Sequence, residues 1–278
     1  MRCTRPVQSG KFGVGLVPCG RCMACRIQKC GEWQTRIHCE KMYMGDCSFL
    51  TLTYSDENLP PDLSLNKKHL QDFIKRLRWH LSEKGVKIKH YSVGEYGDLT
   101  KRPHYHSLIL GWYPEETLVT SLSGAKKTRF SSMLVCELWP YGFNMVGNVE
   151  QKSIDYVTGY VRKKLYGKRA DEEYKGLVAP FLLCSKGIGK RYALDHRDEI
   201  LKNEGVVING RNHGINRYFW KLLELDDDYL NKIMSKRQHN IDVEVMVRGL
   251  SDNYDYQDKK QREANLLAKE KLFNRGML

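Results

Sequence analysis

The sequence predicts an α+β protein in which an antiparallel β-sheet is flanked by helices, and two observations carry this prediction. Alternating runs or runs rich in β-branched and aromatic residues indicate four strands, at 49–54, 88–95, 104–110 and 143–149. Apolar residues recur at helical spacing over 66–84 and 153–167. Strands that are joined by a hairpin or by single helices in this order favour an antiparallel sheet with helices packed on its faces.

The composition favours a protein that binds a polyanion. The 278 residues include 46 Lys and Arg against 33 Asp and Glu, a net charge of +13, and 41% hydrophobic residues are enough for a packed core. Nucleic acid is the usual partner of such a basic chain, although a basic surface without that function has the same totals. No apolar run approaches the roughly 18 residues of a membrane span. The N-terminus lacks a signal core, so we expect a cytoplasmic protein with no membrane partner.

A cysteine cluster opens the chain, with Cys19, Cys22 and Cys25 in CGRCMAC. Overlapping C-x-x-C units present three thiolates to one tetrahedral ion, and in a reducing compartment clustered cysteines are metal ligands more often than disulfides. Cys3 would complete a four-sulfur zinc site, and Cys30 is the competing fourth ligand. An iron–sulfur cluster is the alternative metal group. We therefore assign residues 1–46, including a helix at 26–44, to a cysteine-rich zinc-binding segment.

The strand at 104–110 carries the most informative side chains. Because successive side chains of a strand point to opposite faces, His104 and His106 share one face, roughly 7 Å apart along the strand. A loop of about eight residues, YGDLTKRP, precedes them, so Glu95 can lie beside His104 in a hairpin. Two imidazoles and one carboxylate suit Mn²⁺ or Mg²⁺ with open positions for substrate oxygens. The alternative is a pair of hydrogen-bonded histidines at a sheet edge.

The helix at 153–167 is the second informative stretch. Tyr156, Tyr160 and Lys164 follow one another at intervals of four residues and therefore lie on one helix face. Gly159 costs on the order of 1 kcal/mol relative to alanine, which indicates that some group passes close to the helix beside Tyr160. Without the histidines, the same spacing is typical of an amphipathic helix with two ordinary tyrosines.

Beyond residue 170 the sequence is less informative. KGIGKR at 186–191 can form a backbone nest for a phosphate, although an ordinary turn explains two glycines equally well. The chain has no G-x-x-x-x-G-K-[ST] motif, so we expect it to rely on a separate helicase. We assign 171–250 to a C-terminal extension, and the charged, sparsely apolar segment 251–278 to a peripheral helix or tail.

Taken in order along the chain, these motifs resemble a known group of proteins. E-(x8)-H-Y-H followed by Y-x-x-x-Y-x-x-K-K is similar to the HUH endonucleases. CGRCMAC, FLTLTYSDENLP, GEYGDLTKRPHYHSLILG, LWPYGF and YVTGYVRKK more narrowly resemble the replication initiators of the microviruses, especially the gokushovirus branch. The resemblance runs from the N-terminus to about residue 170. It implies an HUH endonuclease core at 47–170 with an RRM- or ferredoxin-like arrangement of strands and helices.

The resemblance also implies a reaction. A rolling-circle replication initiator nicks one strand of origin DNA through a tyrosine, stays linked to the 5′ end, and rejoins DNA to end replication. In this scheme His104 and His106 hold Mn²⁺ or Mg²⁺, with Glu95 as the third ligand. The implied partners are single-stranded and supercoiled origin DNA, a host helicase and a host DNA polymerase, and the implied location is the cytoplasm of the infected bacterial host.

The same scheme assigns roles to the tyrosine face. Tyr156 and Tyr160 would be nucleophiles used alternately, and Lys164 would assist. Four basic residues that flank the two motifs are the candidate DNA contacts: Lys101, Arg102, Arg162 and Lys163. Two rival classes remain, a non-enzymatic zinc-containing DNA-binding protein and an iron oxygenase with two histidines and one carboxylate. The basic charge and the paired tyrosines weigh against the oxygenase.

Overall fold

The computed structural model describes residues 3–8, 16–120, 129–163, 172–226 and 259–269, together with 228–229, 231–233, 235–236 and 243. The chain divides into two compact units. The terminal unit consists of Met1–Thr35 and Lys190–Leu278, and the central unit consists of Arg36–Gly189. Within the described ranges, each helix is too short or too polar to span a lipid bilayer.

The secondary-structure elements are numbered in chain order. The strands are β1 (Val7–Gln8), β2 (Leu16–Val17), β3 (Cys47–Tyr54), β4 (Lys89–Tyr96), β5 (Pro103–Leu110), β6 (Leu118–Val119), β7 (Phe130–Ser131), β8 (Gly142–Asn148), β9 (Phe181–Cys184), β10 (Gly205–Ile208) and β11 (Arg211–Gly214). The helices are α1 (Met23–Met44), α2 (Lys67–Glu83), α3 (Met133–Leu138), α4 (Gln151–Lys163), α5 (Lys190–Asp195), α6 (Arg197–Lys202), α7 (Arg217–Leu222) and α8 (259–269).

A seven-stranded sheet with the order β6-β7-β8-β3-β5-β4-β9 forms the central unit, and every neighbouring pair is antiparallel. The predicted α+β class, an antiparallel sheet flanked by helices, is therefore confirmed. Strand β3 lies between β5 and β8, and β5 lies between β3 and β4. The histidine-bearing strand is thus an interior strand of the sheet, and the alternative of a histidine pair at a sheet edge is wrong.

Helix α2 covers one face of this sheet. Asn66 caps the helix, because its side chain accepts hydrogen bonds from the backbone amides of Lys68 and His69. The buried stripe of the helix consists of Leu70, Phe73, Ile74, Leu77 and Leu81. The sheet residues of the same core include Leu50, Leu52, Tyr105 and Ile109. Burying each such side chain contributes about 1.5–3 kcal/mol, so this face forms the core of the central unit.

The opposite face carries polar groups. Because side chains alternate along a strand, Thr51 of β3 and His106 of β5 point away from the core residues on either side of them. Helix α4 packs on this second face, where the hydroxyl of Tyr156 lies 3.3 Å from Nε2 of His106. The two faces therefore divide the work, and one holds the apolar core while the other holds the candidate site.

The structure differs from the sequence-based elements mainly at their ends. Helix α1 begins at Met23, three residues earlier than expected, and the turn between β4 and β5 spans only residues 97–102 because Tyr96 and Pro103 pair across the hairpin. Strands β6, β7 and β9 were not predicted. They are two or four residues long, and a period of two cannot be recognised over so few positions.

The glycines of KGIGKR form a tight turn whose amide is used by the protein itself. Gly187 and Gly189 adopt positive φ, +72° and +77°. The backbone amide of Gly189 donates to the carboxylate of Glu40 at 2.6 Å, and that buried carboxylate also pairs with Lys89 at 2.7 Å. Lys89 in turn donates to the carbonyl oxygen of Gly187 at 3.0 Å. A side-chain carboxylate thus takes the place that the phosphate-nest interpretation gave to a phosphate.

Candidate active site and cysteine cluster

The antiparallel registers bring the predicted ligands together. Glu95 of β4 lies directly across from His104 of β5. Oε1 of Glu95 is 3.0 Å from Nε2 of His104 and 3.0 Å from Nε2 of His106. The three side chains are buried, with 8%, 18% and 7% of their surface exposed in the order Glu95, His104 and His106. Their ligand atoms all lie within 4.8 Å of one another, so one ion can contact all three.

Both imidazoles are oriented through their second nitrogen. Nδ1 of His104 donates to the backbone carbonyl of Arg102 at 3.1 Å. Nδ1 of His106 lies 3.0 Å from Oγ1 of Thr51, its cross-strand neighbour on β3. Metal-binding histidines typically use the second nitrogen in this way. Thr51 was missed by sequence reasoning, although the alternation of FLTLTY already placed its side chain opposite the core.

The electrostatics of the cluster favour a cation. Burial opposes ionisation of Glu95, but the hydrogen bonds from His104 and His106 and the positive field of His106 outweigh it and lower the pKa of the carboxyl to about 2. Burial would lower the pKa of His104, whereas its hydrogen bond and charge interaction with Glu95 together raise that pKa. Glu95 is therefore a carboxylate at neutral pH, and the negative charge attracts positive charge to this point.

Two tyrosines of α4 reach the same cluster. The hydroxyl of Tyr156 lies 3.3 Å from Nε2 of His106. The ring of Tyr160 stacks on the His106 ring, with centroids 5.9 Å apart and planes 12° apart. The two tyrosine rings meet edge to face with centroids 5.3 Å apart. The spacing of four residues along one helix face thus places both phenols beside the histidines.

Both phenols are protonated at neutral pH. Burial raises the pKa of Tyr156 to about 12, and the negative charge of Glu95 acts in the same direction. Burial and the charge of Glu95 also raise the pKa of Tyr160. Either hydroxyl therefore needs positive charge or a proton acceptor nearby before it can act as a nucleophile.

The other predicted residues of the site are placed less completely. Lys164 lies outside the described residues, and so does the side chain of Lys163. Lys101 is exposed in the loop before β5, with a positive φ of 54°. The guanidinium of Arg102 pairs with Asp56 at 2.6 Å and also donates to a backbone carbonyl, so this side chain is engaged by the protein.

Gly159 has a neighbour within α4 itself. A Cβ atom at this position would lie 3.2 Å from a guanidinium nitrogen of Arg162. The group that passes close to the helix beside Tyr160 is therefore the side chain of Arg162. This contact explains the preference for glycine, since even a methyl group would displace the guanidinium.

The cysteine cluster is assembled from the N-terminal segment. The Sγ atoms of Cys3, Cys19, Cys22 and Cys25 all lie within 4.8 Å of one another. The Sγ atoms of Cys3 and Cys22 are 3.7 Å apart, which is close to the roughly 3.8 Å between sulfurs of a tetrahedral site with bonds of about 2.3 Å. The backbone amide of Cys22 donates to Sγ of Cys19 at 3.3 Å, a contact that stabilises thiolate charge. The four sulfurs could therefore hold one metal ion.

Cys30, the competing fourth ligand, is not part of this group. It is buried within α1, and its Sγ accepts a hydrogen bond from the side chain of Gln34 at 3.5 Å. Cys22, by contrast, carries an acidic thiol within the cluster. Burial opposes its ionisation, but hydrogen bonds from Thr4 and Cys25 lower the pKa of Cys22 to about 6. One thiolate is thus available at neutral pH before any ion binds.

Helix α8 packs against the cysteine cluster. The carboxylate of Glu263 accepts hydrogen bonds from the hydroxyl of Thr4 at 2.7 Å and from the backbone amide of Met23 at 3.1 Å. Leu266 packs against the cysteines on the same side of the helix. The helix lies within the predicted segment 251–278, and it belongs to the same compact unit as the first cysteines.

Comparisons with known proteins agree with this arrangement. The family model of the replication-associated protein ORF2 matches residues 47–165, the range that contains the histidines, Glu95 and both tyrosines. The chain is 31% identical over 273 residues to Replication-associated protein ORF2 of Spiroplasma virus 4, covering 91% of this chain and 83% of that protein. It is 31% identical over 244 residues to Replication-associated protein VP4 of Bdellovibrio phage phiMH2K, covering 79% and 76%.

A third relative, Replication-associated protein ORF4 of Chlamydia phage 1, is 32% identical over 234 residues, which cover 79% of this chain and 58% of that protein. No solved structure matches the chain. Similarity over most of the length of two relatives, together with the family model over the site itself, confirms the resemblance that the motifs indicated. The chain belongs to the ORF2 family of replication-associated proteins.

Proposed function

We propose that this protein initiates phage DNA replication by nicking one strand of origin DNA through a tyrosine and later rejoins DNA to end a round of rolling-circle synthesis. One observation carries the proposal: two phenols, two imidazoles and a carboxylate meet on one face of the sheet, with Tyr156 Oη 3.3 Å from His106 Nε2 and both imidazoles 3.0 Å from Glu95. The names of the relatives support a role in replication.

The donor set fits a divalent cation of the Mn²⁺ or Mg²⁺ type, which Glu95, His104 and His106 would hold. Neighbouring ligands of an octahedral ion with bonds of about 2.1 Å lie about 3.0 Å apart. The distances from Oε1 of Glu95 to the two imidazole nitrogens match that value. When bound, such an ion polarises the scissile phosphate and offsets its charge.

The phenol of Tyr156 or Tyr160 attacks the scissile phosphorus. A bond forms between the phenolic oxygen and phosphorus while the bond from phosphorus to the 3′ oxygen breaks. The phenol loses its proton and the departing 3′ oxygen gains one, so the products are a 5′-phosphotyrosine and a free 3′-OH. One phosphodiester bond replaces another, so the step needs no ATP, and the 3′-OH can prime synthesis. Lys164 is the candidate for stabilising the phenolate or the charge that develops on the phosphate.

Two phenols allow a second cleavage before the first adduct is released. Tyr156 and Tyr160 lie one helical turn apart, about 6 Å along the axis, and both rings contact His106. While one tyrosine holds the 5′ end, the other can cut the regenerated origin. The new 3′-OH then attacks the first phosphotyrosine, which closes a circle and frees that phenol.

The remaining assignments complete the proposal. Cys3, Cys19, Cys22 and Cys25 would hold a structural Zn²⁺, since their spacing fits a tetrahedral site. DNA contacts are assigned to the basic residues beside the two motifs, Lys101, Arg102, Arg162 and Lys163. The substrates are single-stranded and supercoiled origin DNA within the infected bacterium, and a host helicase and DNA polymerase would act with this chain.

The test is a covalent adduct assay. The full-length protein is incubated with a labelled single strand that bears the origin and with Mn²⁺, and the products are separated under denaturing conditions. We expect a protein–DNA adduct that EDTA prevents. Tyr156→Phe and Tyr160→Phe should each lower its yield, and the double variant should abolish it. Tyr141→Phe, which removes a phenol from the opposite face of the sheet, serves as the matched control and should keep the full yield.

Two outcomes would overturn parts of this proposal. An adduct that persists undiminished in the double variant would show that the nucleophiles are wrongly assigned. If DNA binds but no origin-bearing strand forms an adduct, the non-enzymatic zinc-containing DNA-binding protein becomes the better description.

A further inference from the structure

Thr51 contacts the inner histidine of the site but has no part in the reaction proposed above. Its Oγ1 lies 3.0 Å from Nδ1 of His106, and the two residues are paired across β3 and β5. Both are buried, with 7% of Thr51 and 5% of His106 exposed. We propose that Thr51 is a positioning residue that fixes the tautomer and ring orientation of His106 and thereby sets the affinity of the site for a divalent cation. This inference rests on the proposed metal site.

The argument begins with the proton of the imidazole. A neutral imidazole carries its proton on one nitrogen and a lone pair on the other. For Nε2 of His106 to offer a lone pair beside Glu95, the proton must be on Nδ1. Nδ1 then needs an acceptor, because an unpaired N–H group in a buried site is costly. Oγ1 of Thr51 lies at hydrogen-bonding distance and can accept that proton.

The same contact selects one of two ring orientations. Rotating the imidazole of His106 by half a turn places carbon where each nitrogen was, so Cε1 instead of Nε2 would face Glu95. Stacking against Phe49, with centroids 5.6 Å apart and planes 25° apart, does not distinguish these orientations because the ring plane is unchanged. The hydrogen bond to Thr51 does distinguish them. A β-branched side chain has few allowed rotamers, so its hydroxyl stays in place.

The two imidazoles of the site are held differently. Nδ1 of His104 donates to the backbone carbonyl of Arg102, which no side-chain substitution removes directly. The orientation of His106 depends instead on a hydroxyl group. A single substitution at Thr51 can therefore alter one ligand of the site and leave the other in place.

The experiment measures Mn²⁺ binding to the full-length protein without DNA, by calorimetry or by the EPR signal of free Mn²⁺. Thr51→Val keeps the size and branching of the side chain but removes the hydroxyl, and we expect about 10- to 100-fold weaker binding. Thr51→Ser keeps the hydroxyl and should restore most of the affinity. Thr53→Val is the matched control. It removes a hydroxyl two residues along the same strand and face, where Oγ1 donates only weakly to the carbonyl of Phe143 at 3.4 Å, and it should bind Mn²⁺ as the parent protein does.

A second measurement reads the tautomer directly. In ¹⁵N NMR of the metal-free protein, His106 should carry its proton on Nδ1, and Thr51→Val should shift the population toward the other tautomer or toward exchange between them. Unchanged Mn²⁺ affinity and an unchanged tautomer in Thr51→Val would overturn the inference. An equal loss of affinity in Thr51→Val and Thr53→Val would also overturn it, since the effect would then come from the strand. Failure of the proposed nicking reaction is distinguishable, because it appears as Mn²⁺ binding without a DNA adduct.

Discussion

At the scale of single residues, Glu95 determines the charge of the candidate site. Its carboxylate is the acceptor shared by both imidazoles, and it is ionised at neutral pH because their hydrogen bonds lower its pKa to about 2 despite burial. A neutral amide of the same shape would keep the packing and remove the charge. The carboxylate therefore separates the electrostatic contribution of the site from its shape.

We predict that Glu95→Gln weakens Mn²⁺ binding by at least about tenfold, since a charged ligand in a buried site contributes more than about 1.4 kcal/mol. Calorimetry on the purified variant provides the affinity, and circular dichroism shows whether the fold is kept. Glu83→Gln, the same change at an exposed position of α2, should bind Mn²⁺ like the parent protein. Equal Mn²⁺ affinity for Glu95→Gln and the parent protein would remove Glu95 from the ligand set.

The five main side chains of the site were predictable because two regular periods place them. A strand period of two puts His104 and His106 on one face, and a spacing of four puts Tyr156 and Tyr160 on one face of a helix. Their catalytic roles remain predictions. Thr51 was not predictable, since it depends on the register of β3 against β5, and the sequence does not encode which hydroxyl of FLTLTY meets which histidine.

At the scale of elements, β4 carries a buried histidine on the face that α2 covers. Burial lowers the pKa of His90 to about 4, and the positive charge of Arg78 on α2 acts in the same direction. Nδ1 of His90 is 2.9 Å from Oγ of Ser92, so the neutral ring has a hydrogen-bond partner. This position makes the packing of α2 on the sheet sensitive to acid.

We predict that the free energy of unfolding falls as the pH falls from about 6.5 to about 4. In the unfolded chain an imidazole binds a proton below a pKa of about 6.5, whereas His90 in the folded protein does so only below about 4. Between these values the unfolded state binds more protons, so acid favours unfolding, by up to about 3 kcal/mol from this residue. Urea unfolding at several pH values across this range provides the slope.

The variant His90→Gln should flatten this pH dependence, because it removes the group that titrates differently in the two states. His80→Gln on α2 serves as the control and should keep the slope of the parent protein. An unchanged slope in His90→Gln would mean that other groups cause the acid sensitivity.

The elements that sequence reasoning missed share one physical property, which is that their pairing partners decide them. Strand β11 (Arg211–Gly214) has a polar composition that is not typical of a strand. It forms because Asn209 and Gly210 adopt positive φ, 49° and 72°, and turn the chain back onto β10. The Asn-Gly pair was a usable hairpin signal, whereas β9 (Phe181–Cys184) has only four half-buried residues and no such turn.

At the scale of the whole molecule, the two ends of the chain belong to one compact unit, Met1–Thr35 with Lys190–Leu278. No local pattern encodes this grouping, because the contacts that carry it join residues far apart in sequence. The clearest is the hydrogen bond from the amide of Met23 to Glu263, across 240 positions. The cysteine spacing predicted the ligands of the cluster, but the sequence did not indicate that α8 packs on them.

Glu263 is the residue of α8 whose loss should affect the cysteine cluster most. Its carboxylate accepts from the first amide of α1 and from Thr4, and a negative charge at a helix N-terminus is favourable. Thr4 in turn hydrogen-bonds Cys22 and lowers the pKa of its thiol. We predict that Glu263→Gln destabilises the terminal unit by about 1 kcal/mol and speeds the release of Zn²⁺ to a chelator, which a colorimetric zinc assay measures.

The control is Glu224→Gln, the same substitution at an exposed position of the same unit. It should release Zn²⁺ at the rate of the parent protein. A chain that ends before α8 should release Zn²⁺ faster than Glu263→Gln, because it also loses the contact of Leu266 with the cysteines. If both the shortened chain and Glu263→Gln hold Zn²⁺ as firmly as the parent protein, α8 does not stabilise the cluster, and the cysteines and the N-terminus of α1 form the metal site by themselves.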